Sequence, residues 1–225
     1  MSRSWRRARF LVVDVETTGL DPARDEIVSF AALPVDEGRV LTAAAVGGLV
    51  HPDSAPAPAS VEIHGLRTAD LASAPNAAEA LRPLATAMRG RTPVAHAAWV
   101  ERAFLRKPLG SLGTRMPRRM VDTALLWRLL CIQRGEGDPG WCALATVAAG
   151  LGLPAHRPHV AEGDALTTAQ AFLALATHLE RAAAAACASS PGRRGSCGGG
   201  GCCSRELGTA ERQHRVLLML RHDIK

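Results

Sequence analysis

The chain has 225 residues, 47% of them hydrophobic, enough for one globular domain with a sizeable core. No apolar run approaches the roughly 20 residues of a membrane-spanning helix, which argues against a helical membrane protein and predicts a cytoplasmic location. The formal charge is +6, yet residues 1–180 carry 19 Lys+Arg against 18 Asp+Glu while residues 181–225 carry 8 against 3. The folded part is therefore near neutral and would not hold nucleic acid by charge excess alone.

Residues 1–8 read as a short basic arm, residues 9–180 as one folded domain, and residues 181–225 as a Gly/Ser/Ala-rich basic tail that cannot bury a core. The segments "RFLVVDV", "EIVSFAALPV" and "RVLTAAAVGGLV", parted by the turn signals "GLDPARD" and "DEG", predict an antiparallel meander. "HPDSAPAPASVEIHGL" reads as a Pro/Ala-rich loop ending at His64-Gly65. Pro75-Asn76 opens a helix, "AAEALRPLATAM", in which Pro83 imposes a kink or a later start. The strand "TPVAH" then leads into the helix "AAWVERAFLRK", and the strand "RRMVDT" into "ALLWRLLCIQR". "WCALATVAAGLGL" is a helix closed by Gly150 and Gly152, and "EGDALTTAQAFLALATHLERAAAAA" is the last helix. Strands alternating with helices after a meander predict an α/β fold with a mixed five-stranded sheet flanked by helices.

Trp99, Trp127 and Trp141 fall in apolar helix patterns and read as core; Arg118-Arg119 and the basic tail read either as contacts to a nucleic-acid backbone or as solvated charge. Aromatics make up 4% of the chain and tyrosine is absent, so no aromatic-rich surface for single strands is expected. Of the six cysteines none forms a C-x-x-C pair and four follow residue 180, which predicts neither a disulfide framework nor a zinc site.

The chemistry begins in "FLVVDVETTGL". Asp14 and Glu16 lie at i and i+2 of a strand and share one face. Two adjacent carboxylates repel unless a cation lies between them, and hard ions such as Mg²⁺ or Mn²⁺ prefer such oxygens. Thr17, Thr18, Gly19 and Leu20 follow, a small-residue turn whose backbone N–H groups suit a phosphate or ribose. In "RPHVAEGDALTTAQAF", Asp164 opens the last helix as a further metal ligand, and His159 five residues earlier is placed to act as a general base. His156 in the same loop reads as an ordinary surface histidine.

"DVETTGL", "VEIHGL", "VAH…E…FL" and "H-x4-D" occur in an order and spacing that resemble the DEDDh-type 3′–5′ exonucleases of the DnaQ-like group. That group includes the proofreading subunit of bacterial DNA polymerase III, oligoribonuclease and ribonuclease T. The resemblance spans roughly residues 9–180, and "RMVDT" and "WCALATVAAGLGL" fit it too. It implies a ribonuclease H-like fold and hydrolysis of phosphodiester bonds from a single-stranded 3′ end, DNA favoured over RNA, with two Mg²⁺ or Mn²⁺ ions. Asp14, Glu16 and Asp164 would hold the first ion, Asp14 would bridge to the second, Glu101 would meet the second through water, and His159 would activate the attacking water. Thr17, Thr18, Gly19 and Leu20 would flank the terminal nucleotide, with His64 and His96 lining the same pocket.

A DNA polymerase is the implied partner if the chain works as a proofreading subunit; the resemblance leaves oligomeric state open. The middle motif departs from the group's H-N-x-x-F-D, having Ala97 for Asn, Val100 for Phe and Glu101 for Asp. The alternative expectation is a binding module for nucleotides or nucleic acid that catalyses weakly.

Overall fold

The computed structural model describes residues 5–188, and its sheet is built around β1 (Arg9–Thr17), whose run Leu11-Val12-Val13 is buried on both faces. β2 (Ile27–Asp36) pairs antiparallel with β1 from Arg9↔Asp36 to Glu16↔Ser29, and the register then slips between Glu16 and Thr17. Such a bulge bends the strand and re-aims the side chains beside it. The turn after β2 places Glu37 (φ 51°) and Gly38 (φ 72°) at positive φ, the backbone a tight hairpin needs.

The third meander segment divides in two. β3 (Arg39–Val40) and β4 (Val46–Leu49) each pair antiparallel with β2, and a 3₁₀ turn at Thr42–Ala44 separates them. The sheet accordingly has six strands rather than the expected five. Gly47 permits the second pairing, since a Cβ there would come within 2.9 Å of the Phe30 carbonyl oxygen.

The stretch expected as a loop after β4 contains a helix, α1 (Pro58–His64), with proline in its first turn and Gly65 closing it at φ 75°. α2 (Thr68–Leu71) follows. The next helix breaks at Leu81 into α3 (Ala77–Ala80) and α4 (Arg82–Ala87), the later start that Pro83 dictates. β5 (Thr92–Ala95) runs parallel to β1 and leads into α5 (Trp99–Ser111). β6 is only Val121–Asp122, parallel to β5, and passes directly into α6 (Thr123–Gln133). α7 (Leu144–Gly150) starts three residues after Trp141, and α8 (Ala161–Ala188) runs beyond the expected boundary at residue 180. Residues 1–4 of the expected arm and 189–225 of the tail expected over 181–225 lie outside the described residues.

Alternation along β1 splits the core. Phe10 and Val12 face α6 and α8, where Trp127, Leu130, Phe172 and Leu175 meet them; Leu11 and Val13 face Leu84, Leu105 and Leu109 on the other side. Ala161, Ala165, Ala169 and Ala176 are fully buried on α8 and let it lie close over the sheet. The basic arm is anchored: Trp5 is buried edge-on against Phe172, and Arg6 stacks 4.5 Å over its ring.

Two expectations for tryptophan fail. Trp127 is core, but Trp99 and Trp141 are 62% and 69% exposed. Trp99 occupies the outward side of the first turn of α5, and Trp141 precedes α7 altogether.

Asp122 fastens two halves of the sheet edge. Its carboxylate accepts the N–H groups of Ala97 (3.2 Å) and Ala98 (3.0 Å) before α5, and those of Ala124 (2.9 Å) and Leu125 (3.4 Å) at the start of α6. It is a helix cap and a crosslink at once. Asp122→Ala is expected to cost about 3 kcal/mol, a lost cap plus charge-assisted bonds left unmade; urea unfolding measures this, and a loss below about 1 kcal/mol would contradict the role.

Candidate active site

Asp14 and Glu16 project from the end of β1 toward the first turn of α8, where Asp164 sits. One carboxylate oxygen from each lies within 4.8 Å of the others. Their register partners on β2 are Ala31 and Ser29, small residues that leave room above the sheet. Glu101, in the first turn of α5, is 3% exposed, and its Oε2 has no hydrogen-bond partner among the described residues. An orphaned buried carboxylate oxygen is costly, and a cation bound beside it would offset that cost.

The electrostatics agree. Burial pushes Asp14 well above the usual carboxylate range, and Glu101, Glu16, Asp164 and Glu162 push it further. Glu16 is raised to about 7 by burial and then by Asp164. Glu101 is raised to about 8, chiefly by burial, with Asp122 and Glu16 adding to it. Asp164 is raised by burial, against the pull of His159 and His96. Four acids whose burial disfavours ionisation, one of them with a buried oxygen that has no partner among the described residues, form a donor set that fits hard divalent cations.

The loop before α8 is buckled onto that helix. The His156 N–H donates to Thr167 Oγ1 (2.9 Å), its Nε2 meets Gln170 Oε1 (3.0 Å), and Thr167 donates to the Gly163 carbonyl (2.9 Å). Gly163 makes the contact possible, because a Cβ there would come within 2.1 Å of the His156 carbonyl oxygen. At the end of this loop His159 takes a left-handed backbone (φ 61°), donates its N–H to Asp164 Oδ2 (2.8 Å) and leaves its ring exposed. The two histidines of "HRPH" thus differ: His156 is used by the fold, and His159 is presented at the site.

The turn after β1 is held from within. Thr18 Oγ1 donates to Asp25 (3.1 Å) and accepts the Glu26 N–H (3.0 Å), and Thr17 Oγ1 donates to the Gly19 carbonyl (2.6 Å). A Cβ on Gly19 would strike the Asp25 carboxylate at 2.4 Å. Among the described residues no acceptor takes the N–H of Gly19 or Leu20, and Leu20 is 79% exposed. The Thr17 and Thr18 hydroxyls therefore shape the turn, while Gly19 and Leu20 face outward.

His64 Nε2 donates to the Thr17 carbonyl (3.2 Å) and its Nδ1 accepts the Leu66 N–H (3.0 Å), with burial lowering its pKa. His96 is more deeply committed: Nε2 donates to the Cys142 carbonyl and Nδ1 pairs with Thr123 Oγ1, both at 2.9 Å. Both histidines brace the walls of the site with both ring nitrogens. The exposed Trp99 and Trp141 flank this region in sequence, next to Glu101 and Cys142, and the apolar pattern had concealed them.

The exonuclease family pattern matches residues 11–172. The chain belongs to the exonuclease family. It is 34% identical over 172 residues to the DNA polymerase III subunit epsilon-like protein of Rhodobacter capsulatus, covering 76% of this chain and 24% of that protein. It is 32% identical over 171 residues to the PolC-type DNA polymerase III of Thermotoga petrophila, covering 76% and 12%. The chain thus spans a quarter or less of these relatives' length. Among solved structures it resembles Exonuclease X in complex with 5′ overhanging duplex DNA (TM-score 0.59, 24% identity, 75% of this chain and 91% of that one). It also resembles an Escherichia coli Exonuclease I–single-stranded DNA complex (TM-score 0.66, 21% identity, 78% and 42%). The fold is ribonuclease H-like, as the motif order predicts.

Raised carboxylate pKa values have a thermodynamic sign. An acid whose folded pKa exceeds its unfolded one binds more protons when folded, so stability falls as pH rises through the interval. For Glu16 the interval runs from 4.5 to about 7, and for Glu101 from 4.5 to about 8. Metal-free protein is expected to melt at progressively lower temperature between pH 5 and pH 8, and millimolar Mn²⁺ to restore the loss at pH 8 far more than at pH 5. Calorimetric scans measure both; a metal effect independent of pH would contradict the assignment.

Proposed function

We propose that this chain is a metal-dependent 3′–5′ exonuclease acting on single-stranded nucleic acid, DNA in preference to RNA. The observation that carries the reading is the convergence of Asp14, Glu16 and Asp164 within 4.8 Å, with His159 hydrogen-bonded through its backbone to the last of them. When bound, two Mg²⁺ or Mn²⁺ ions would stabilise the charge developing on the phosphate, one held by Asp14, Glu16 and Asp164, the other by Asp14 and, through water, Glu101.

His159 takes a proton from the attacking water as the water oxygen bonds to phosphorus and the P–O3′ bond breaks, and the departing O3′ takes a proton from solvent. The products are a nucleoside 5′-monophosphate and a strand shortened by one residue with a free 3′-hydroxyl. Leu20 packs against the terminal base, and the N–H groups of Gly19 and Leu20 donate to its sugar or phosphate. His64 and His96 position these walls through the Thr17 and Cys142 carbonyls. Exchange of the middle motif is absorbed locally: Val100 packs against the apolar cluster below the sheet, and Glu101 still buries its carboxylate beside Asp14 and Glu16. The likeness to polymerase III proteins supports a cytoplasmic enzyme that works beside a DNA polymerase; among the described residues no helix is long and apolar enough to cross a membrane.

A time course on 5′-labelled single-stranded DNA and RNA tests the reading. A ladder shortening from the 3′ end is expected in Mn²⁺ or Mg²⁺, faster on DNA and absent in EDTA or with Asp14→Ala. His159→Ala should slow it by about 10²- to 10⁴-fold. Folded protein that binds thymidine monophosphate yet yields no ladder in either metal would instead support the binding-module reading.

A further inference from the structure

The segment 102–121, "RAFLRKPLGSLGTRMPRRMV", contains Arg102, Arg106, Lys107, Arg115, Arg118 and Arg119 and no acidic residue. The remainder of residues 1–180 carries 13 Lys+Arg against 18 Asp+Glu, so this segment is the positive pole of an otherwise acidic domain. All six cations are exposed, and among the described residues none forms an ion pair. A solvated helix face ordinarily mixes signs.

The placement on α5 is specific. Trp99, Arg102 and Arg106 stand at i, i+3 and i+7 and form one outward stripe. Glu101, Phe104, Leu105 and Leu109 occupy the opposite, buried side. The Arg102 guanidinium donates to the Arg118 carbonyl, which folds the basic loop against the stripe. The stripe starts in the same first turn of α5 that carries Glu101, which puts Trp99 two residues from that acid but on the outward side of the helix. An exposed indole leading into a row of unpaired arginines has the two elements of a single-strand track: a face for a base and cations for its backbone.

Resting on the exonuclease reading, we propose that this stripe carries the single strand behind its 3′-terminal nucleotide. Trp99 stacks an upstream base, and Arg102, Arg106 and Arg118 contact the phosphates on either side. Stacking on an indole tolerates any base and requires an unpaired one, so the stripe makes the enzyme prefer single strands without selecting sequence.

The test compares a substrate that has no upstream nucleotides, the p-nitrophenyl ester of thymidine 5′-monophosphate, with a fluorescent dT12, using the full chain. Trp99→Ala and the double variant Arg102→Ala/Arg106→Ala should leave kcat/KM on the ester unchanged. On dT12, Trp99→Ala should lose about 5- to 100-fold. The double variant should flatten the salt dependence of KM by about 1.4 in log–log slope, two contacts at about 0.7 each. Trp99→Phe should retain most of the wild-type rate, and Arg102→Lys/Arg106→Lys the wild-type slope.

Equal losses on both substrates, or none on dT12, would overturn the proposal. Anisotropy of dT12 in EDTA separates it from the exonuclease reading. If the wild type hydrolyses neither substrate, weaker dT12 binding by both alanine variants still supports the stripe, and binding equal to wild type overturns it.

Discussion

Four carboxylates crowded where little water reaches them are the constraint around which this domain is arranged. Asp14, Glu16, Glu101 and Asp164 come from β1, α5 and α8; burial raises the pKa of every one, and repulsion from neighbouring acids adds to it for Asp14, Glu16 and Glu101. Such a group is unfavourable in isolation. It persists because the surrounding structure holds each acid in place at a cost met by packing elsewhere, as functional sites commonly require. The bulge after Glu16 turns the end of β1, the alanine face of α8 brings Asp164 down to the sheet, and Asp122 fixes the backbone from which Glu101 departs.

The same arrangement explains where backbone strain is found. Among the described residues, two of the four non-glycine positions at positive φ are Ala97, before α5, and His159, before α8. Each stands just ahead of a helix whose first turn carries one of the four carboxylates, Glu101 in α5 and Asp164 in α8. A left-handed alanine costs about 1–2 kcal/mol, and the two bonds that the Asp122 carboxylate accepts from the Ala97 and Ala98 N–H groups oppose that cost. An asparagine there would tolerate the conformation better, so the departure at this position is a matter of stability before it is one of chemistry. The charge distribution follows the same logic: acids gather at the ends of β1, α5 and α8, and cations line the outward side of α5.

Much of this was legible in the residues, and the reasons are particular. Strand periodicity put Asp14 and Glu16 on one face, and a helix opening at "EGDAL" put Asp164 in a first turn. The order of four short motifs gave the fold because each lies at an element boundary: the end of β1, the close of α1, the junction of β5 with α5 and the start of α8. Other features depended on contacts that spacing does not encode. α1 was hidden because its prolines read as loop signals, although proline is at home in a helix's first turn. The splitting of the third strand depends on how closely Gly47 approaches Phe30. Trp99 read as core because apolar identity was weighed without its place in α5, where the heptad-like stripe with Arg102 and Arg106 points it outward. His96 reads from its motif as a pocket residue, but no spacing announces that both its nitrogens are bonded to Thr123 and Cys142, 27 and 46 residues away.

The central claim is that the carboxylate cluster exists to hold divalent cations. Isothermal titration of metal-free protein with MnCl₂ at pH 7.5, in two buffers of different ionisation enthalpy, measures metal binding and proton release together. Glu16 at about 7 and Glu101 at about 8 hold protons near this pH, and a bound cation displaces them. The account predicts binding accompanied by net proton release that diminishes toward pH 9 and disappears with Asp14→Ala. Binding without proton release, or no binding at millimolar Mn²⁺, would contradict it.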